Sequence, residues 1–282
     1  MERSGSARIL VAPLVACLLF STVPPPAAAW EAGAHRLITA QAIETLPFPL
    51  RTYFESNQLI LAQLCADPSR WGEVQPRPEH GFIHLDHYGS YPFAELPRDF
   101  NRAARKFGSK ELAEHGILPW QIGTYTLKLE EAFRDRQWDE VKLYAAILAR
   151  YVAEAHDPFN TTLNFTGELS NQLGVDSRYA SSLVERYQMF FLIAPRRAYK
   201  IEDSTAHAFG IAMEANTWVD NILFADSQAR ADRIVYNDEY FDAFYEGAGA
   251  ILVRQLTDAS QNVGNYWLTA WENAGRPTLP VR

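Results

Sequence analysis

The chain has 282 residues, 48% hydrophobic and 21% charged, with 26 Lys+Arg against 34 Asp+Glu for a formal net charge of −8. That composition excludes a disordered chain, and two cysteines are too few for a disulfide-stapled miniprotein. The acidic balance offers no electrostatic footprint for phosphate backbones, so no stable nucleic-acid complex is expected, although a metal site could still handle a phosphodiester locally.

Arg3 and Arg8 precede an apolar run over residues 9–20, followed by Pro24-Pro25-Pro26 and Ala27-Ala28-Ala29 before Trp30. This reads as a secretory signal peptide with an A-x-A cleavage site, which divides the chain into residues 1–29 and 30–282 and predicts a secreted or periplasmic protein. The run is shorter than the roughly 20 residues that cross a bilayer. Leu14-Val15-Ala16-Cys17 also fits a lipoprotein box. Cleavage after Ala29 leaves Cys65 as the one cysteine, so stability would rest on the core or on metal rather than on a disulfide. No later segment reaches transmembrane length without charges, so at most transient contact with a membrane surface is expected.

Leu37, Ile38, Ala42, Ile43 and Leu46 recur at helical spacing until Pro47, which predicts a helix directly behind Trp30. Residues 71–97 carry four prolines and read as a long irregular connection, a kind of segment that in a compact domain is usually functional. Helical periodicity returns at 101–107, 119–133 and 138–155, where Val141, Tyr144, Ala145, Leu148, Tyr151 and Val152 share a face and Pro158 ends the pattern. A Gly/Asn-rich connection at 160–174 leads to helices near 177–192, 204–223 and 240–274, the last open to bending at Gly247 and Gly249 or division at Asn262-Val263-Gly264. Strand signals are scarce and no linker separates two domains. The expected fold is all-α, a single compact multi-helix domain.

His80, His84 and His87 lie in the irregular stretch, His35 on the first helix and His156 at the end of a central one. Imidazoles and carboxylates together suit Zn²⁺. The mature terminus would also contribute, because an α-amino group titrates near about 8 and yields its proton to a metal at modest cost. Tyr91-Pro92-Phe93, Trp120 and Trp138 could line an apolar cleft, but aromatic residues at helical spacing are usually core.

The segment Ala149-Arg150-Tyr151-Val152-Ala153-Glu154-Ala155-His156-Asp157-Pro158-Phe159-Asn160 resembles the central motif of the zinc-dependent phospholipase C and S1/P1 nuclease superfamily, H-Y-x-x-D-x-x-x-P-x-H. The resemblance extends over Trp30 with His35, Cys65-Ala66-Asp67, residues 82–88, Leu118-Pro119-Trp120, Asn164-Phe165-Thr166-Gly167 and residues 174–180, and is nearest to bacterial phospholipase C-like members. It implies a helical secreted domain of the phospholipase C/P1 nuclease type that holds three zinc ions, one of them through the N-terminal Trp amine and carbonyl, and cleaves phosphate esters. Carried over by position, Trp30, His35 and Asp67 fit ligands, Glu154 stands where the family has Asp, and His84, or His80 in a shifted register, supplies the ligand of the Pro-rich stretch. Asp86 is a further candidate there. Arg150 and Asn160 replace the two histidines of the central motif, and Asp176 and Ala180 replace the His and acidic residue of the later one.

Arginine offers no lone pair to a metal, and alanine offers no donor at all. Arg150 lies one helical turn before Glu154, so the two can pair and convert part of the metal site into an ion pair. The resemblance therefore implies a phosphoric ester hydrolase acting on a phospholipid or another phosphate ester, with at least one zinc but not three, held by Trp30, His35 and Glu154. Asp67 would be both a ligand and the carboxylate that positions the attacking water. The alternatives are a catalytically silent scaffold or binding protein on the same fold, and a single-strand nuclease of the S1/P1 type.

Overall fold

In the computed structural model, residues 30–230 and 235–280 are described. The expected signal segment, including the lipoprotein-box alternative, lies outside them. The helices in chain order are α1 (Ala32–Thr45), α2 (Leu50–Ser56), α3 (Gln58–Ala66), α4 (Phe100–Phe107), α5 (Ser109–His115), α6 (Leu118–Arg134) and α7 (Trp138–Ala155). The short α8 (Val175–Ser177) and α9 (Leu183–Tyr187) flank a π-helical turn at Arg178–Ser182, and α10 (Ser204–Asn216), α11 (Val219–Arg230) and α12 (Asp238–Asn273) complete the set. Among the described residues there is no β-strand, and no helix is long and apolar enough to cross a membrane. The fold is all-α, as expected.

Helix α7 runs through the middle of the molecule. Its residues from Ala145 to Ala155 are nearly all buried, and it packs against α1, α3, α6 and α12. Two buried tryptophans anchor to its backbone: the Trp30 indole donates to the Ala153 carbonyl at 2.9 Å and the Trp267 indole to the Ala145 carbonyl at 2.9 Å. Satisfying each indole N–H in this way removes the cost of burying it. Asp139 and Glu140 favour the helix N-terminus, and the Asp157-Pro158 step ends it, because proline disfavours helical backbone in the residue before it.

Helix α12 is one unbroken rod of 36 residues, about 54 Å long at 1.5 Å per residue, with Asn237 capping its N-terminus. Neither the glycine pair nor Asn262-Val263-Gly264 interrupts it. These glycines serve contact instead. A Cβ on Gly264 would lie 2.0 Å from Thr45 Oγ1 in α1, and one on Gly247 would lie 2.9 Å from the Ala225 Cβ in α11. The expected helix at 204–223 divides at Thr217-Trp218 into α10 and α11, and the one at 177–192 stops as an α-helix at Tyr187. Beyond it the chain lies extended along α12. There Gln261 Oε1, Asn265 Oδ1 and Thr269 Oγ1, spaced four residues apart, accept the backbone N–H groups of Arg196, Tyr199 and Ile201. The side-chain ladder supplies the hydrogen bonds that a helix would have made internally.

The irregular stretch at 71–97 is held by its own apolar cluster. Ile83, Leu85, Tyr88, Phe93 and Leu96 pack with Leu112 of α5, Trp120 of α6 and Phe209 of α10. Trp120 and Phe93 are thus core, as the default reading of aromatics had it, and Tyr91 is exposed. Main-chain bonds from His84 N to His115 O and from Leu118 N to Phe82 O tie the stretch to the end of α5 and the start of α6. The histidines of this region therefore sit on a fixed backbone.

Candidate functional site

Glu154, in the last turn of α7, is the centre of a buried polar group. Arg150 lies one turn earlier on the same helix face, and its Nη2 is 3.0 Å from Glu154 Oε1. His35, from the first turn of α1, places Nε2 3.2 Å from that same oxygen. Asn160, on the 3-10 turn after Pro158, donates from Nδ2 to Glu154 Oε2 at 2.9 Å and to the Glu154 carbonyl at 3.1 Å. Arg150 Nη1 also donates to the Cys65 carbonyl at 3.1 Å, at the C-terminal end of α3. Side-chain exposure is 1% for His35, 6% for Glu154 and 14% for Arg150, so the group is shielded from water.

Burial alone would push the Glu154 carboxyl up, but Arg150, His35 and Asn160 together hold it below the usual carboxylate range. It is ionised at neutral pH. Burial pushes His35 down, with Arg150 acting in the same direction against Glu154 and the Trp30 backbone. His35 is therefore neutral, and neither of its ring nitrogens has a partner in line for a hydrogen bond. Three residues after Glu154, the fully buried Asp157 accepts the Phe159 N–H on Oδ1 at 2.9 Å while Oδ2 has no partner. Burial first, and then the nearby Glu154 and Asp176, raise the Asp157 pKa well above its ordinary value, which favours the protonated carboxyl. The Tyr179 hydroxyl, also fully buried, is unpartnered as well.

His35, Glu154, Asn160 and Arg150 meet in one buried cluster, with the Trp30 backbone close to His35. The other expected residues do not join them. Asp67 caps the turn Pro68–Arg70 and accepts from Ser69 N at 3.1 Å, Ser69 Oγ at 2.5 Å and Arg70 Nε at 3.1 Å, with its side chain about half exposed. Those bonds, that to Ser69 first, lower its pKa. His80 faces the Tyr151 hydroxyl at 3.4 Å, and Asp86 accepts from Thr162 Oγ1 at 2.7 Å and Leu163 N at 2.9 Å, which pins the loop after the central motif. Asp176 is buried with a raised pKa, the largest cause being burial. The neighbouring Ala180 is fully buried and brings no donor. His156 is a neutral bridge between α7 and α12. It lies 3.2 Å from Gln255 Oε1 and 3.1 Å from Asn262 Nδ2, and burial lowers it to about 4.

His84 lines a cavity of about 270 Å³ together with Pro78, Phe82, Glu114, Phe159, Asn160 and Phe165. Its ring stacks between Phe82, centroid to centroid 4.7 Å, and Phe165, 5.3 Å, and burial lowers it to about 4. Asn160 thus has one side on this cavity and the other on Glu154. A larger cleft of about 540 Å³ around Arg98, Trp120 and Asp203 contains no member of the Glu154 cluster and no histidine, so the smaller cavity is the candidate site.

The donor set argues against zinc at Glu154. Both carboxylate oxygens already accept cationic or amide N–H groups, and His35 is the one imidazole. Two unit charges about 4 Å apart interact by about 4 kcal/mol at an effective dielectric of 20, so a divalent ion beside the Arg150 guanidinium would meet roughly 8 kcal/mol of repulsion. Structural zinc sites gain about 10–16 kcal/mol with a full ligand set. A partial set opposed by a fixed cation loses most of that gain. Among the described residues, one other group has metal-binding composition: His87, Glu111 and His115, whose ligand atoms lie within 4.8 Å of one another. Sequence reasoning passed over it because α5 itself went unread, although Glu111 and His115 are spaced one helical turn apart.

No protein-family model matches the chain, and no curated protein does. Among solved structures the chain is similar to the alpha toxin of Clostridium absonum, with a TM-score of 0.53 and 11% identity over 86% of this chain and 63% of that one. It is likewise similar to an alpha-toxin of Clostridium perfringens from an avian strain, with a TM-score of 0.52 and 10% identity over 86% of this chain and 64% of that one. The chain thus spans less than two thirds of the length of these toxins. The likeness shows the fold, a helical domain like that of these alpha-toxins, and at this identity it shows nothing further.

Proposed function

We propose that the chain is a secreted phospholipase C-like domain in which the Arg150–Glu154 ion pair stands in place of a metal, and that it binds a phospholipid or similar amphiphile without hydrolysing it. The observation that carries this reading is the Arg150 guanidinium 3.0 Å from the carboxylate oxygen that faces His35. A phosphodiesterase of the multi-metal kind needs ions on both the attacking and leaving oxygens, and here the replacements are a guanidinium, an amide, a lone buried carboxyl and a methyl group. The adjoining cavity supports binding. The aromatic rings of Phe82, Phe159 and Phe165 favour apolar matter or a quaternary ammonium, and Glu114 adds a negative edge. The test is titration with a short-chain phosphatidylcholine, followed by assay for released headgroup phosphate. We expect binding that Phe165→Ala weakens about tenfold, and no turnover with or without zinc. Turnover at ordinary enzyme rates, on the order of 10 per second, would refute this reading.

A second reading, a hydrolase retaining one zinc, is favoured by His35, whose Nδ1 has no partner and whose Nε2 faces Glu154 at 3.2 Å, with the Trp30 backbone close by. Under that reading a chain beginning at Trp30 would add its amine to the set, and zinc-dependent turnover would be abolished by Glu154→Gln.

A further inference from the structure

The group formed by His87, Glu111 and His115 belongs neither to the Glu154 cluster nor to the set of ligands implied by the central motif. His87 comes from the 3-10 turn Leu85–Tyr88, and Glu111 and His115 from α5, one helical turn apart and so on one face. His87 Nε2 is 2.8 Å from Glu111 Oε1. The rings of His87 and His115 lie face to face, 3.4 Å between centroids and 15° from parallel, and His115 Nδ1 is buried without a partner.

We propose that these three side chains bind a divalent transition-metal ion of the zinc class, with water in its remaining position. Two imidazoles and one carboxylate form a donor set that suits zinc, whereas magnesium and calcium take oxygen ligands. The backbones are fixed beforehand. Leu85, Tyr88 and Leu112 sit in one apolar cluster, and the His84 N–H donates to the His115 carbonyl at 2.8 Å. Gly116, at φ 84°, ends α5 where a Cβ would lie 2.1 Å from the Phe82 carbonyl, so the end of the helix is held against the irregular stretch. The donor tips retain freedom, since the side chains of His87 and Glu111 are 27% and 45% exposed.

Tetrahedral donors at about 2.1 Å from an ion lie about 3.4 Å apart, so the group must close by no more than about 1.4 Å. Stacked rings send their in-plane lone pairs along parallel lines, so one imidazole must tilt out of the stack to converge with the other. An ion held between the two rings would give the unpartnered His115 Nδ1 a ligand to face.

The test is calorimetric titration of the full mature chain with zinc chloride, alongside visible absorption with cobalt(II). We expect one equivalent at micromolar affinity or better, weakened at least tenfold in His115→Ala and in Glu111→Gln, and unchanged in His35→Ala and Glu154→Gln. Glu111→Gln changes an exposed side chain, so it keeps the test decisive if His115→Ala fails to fold. No uptake by the wild-type chain would overturn the proposal. So would equal affinity in Glu111→Gln, or loss of uptake in His35→Ala, which would place the ion at Glu154 and overturn the proposed function too. Equal competition by magnesium would overturn the assignment of ion class.

Discussion

Removing Arg150 should reveal how much of the fold depends on its pairing with Glu154. In Arg150→Ala the carboxylate keeps Asn160 and His35 but loses its one permanent cation, at a position where its side chain is 6% exposed. Breaking a buried pair by truncating one partner typically costs about 3–5 kcal/mol, against less than about 1 kcal/mol for an exposed pair. The cost should depend on pH in a definite direction. In the wild-type chain His35 is held neutral, in part by Arg150. Without the guanidinium the His35 pKa rises in the folded state, and an imidazolium can take over the pairing. A buried His with a lowered folded pKa costs stability as pH falls below about 6.5, so relieving part of that lowering recovers stability on the acid side. Urea unfolding should therefore give the larger loss at pH 8, near 3–5 kcal/mol, and a loss smaller by about 1 kcal/mol or more at pH 5.5. A loss below about 1 kcal/mol at both values would refute the buried-pair reasoning.

Acid should destabilise the wild-type chain, because burial lowers His84 and His156 to about 4 and also lowers His35. Their unfolded forms take up protons first, so stability should fall from about pH 6.5 to 4, by up to about 1.4 kcal/mol per pH unit for each fully buried His; urea midpoints across that range check it. Asp157 works the other way, since its folded pKa is raised: the stability it contributes is lost as pH rises through that value. Asp157→Asn should be near neutral below about pH 4 and increasingly stabilising as pH rises towards 8, which paired denaturation curves would show. Gly264→Ala should cost about 1–3 kcal/mol by overpacking against Thr45, read as a lowered melting temperature.

What was legible in the sequence was long and periodic. Helix α7 appears with the expected bounds because its apolar face is continuous and the Asp157-Pro158 step stops it. Helices α2, α3 and α5 were not expected, since they are short and, like Leu59 and Ile60 on α3, expose apolar residues that blur the period. Asn262-Val263-Gly264 looked like a break because no local rule reveals that α1 crosses there and needs the missing side chain. At the site, the pairing of Arg150 with Glu154 follows from spacing alone, and the place of Asn160 from the motif. Asp67 illustrates the limit: its position suits a ligand, but Ser69 and Arg70, two and three residues on, engage it locally. The convergence of His87 with Glu111 and His115 depends on how the Pro-rich stretch folds over α5, which no local pattern encodes.

The central claim, that a guanidinium has taken the place of a metal at Glu154, is tested most directly by zinc-dependent melting of a chain beginning at Trp30. Carrying His115→Ala to remove the other candidate site, the chain with Arg150 and Asn160 intact should keep the same melting temperature as zinc is added. The chain with Arg150→His and Asn160→His should gain about 2.7 kcal/mol at a hundredfold excess over its dissociation constant, a rise of about 5–10 °C. An equal rise in the chain that retains Arg150 and Asn160 would contradict the account.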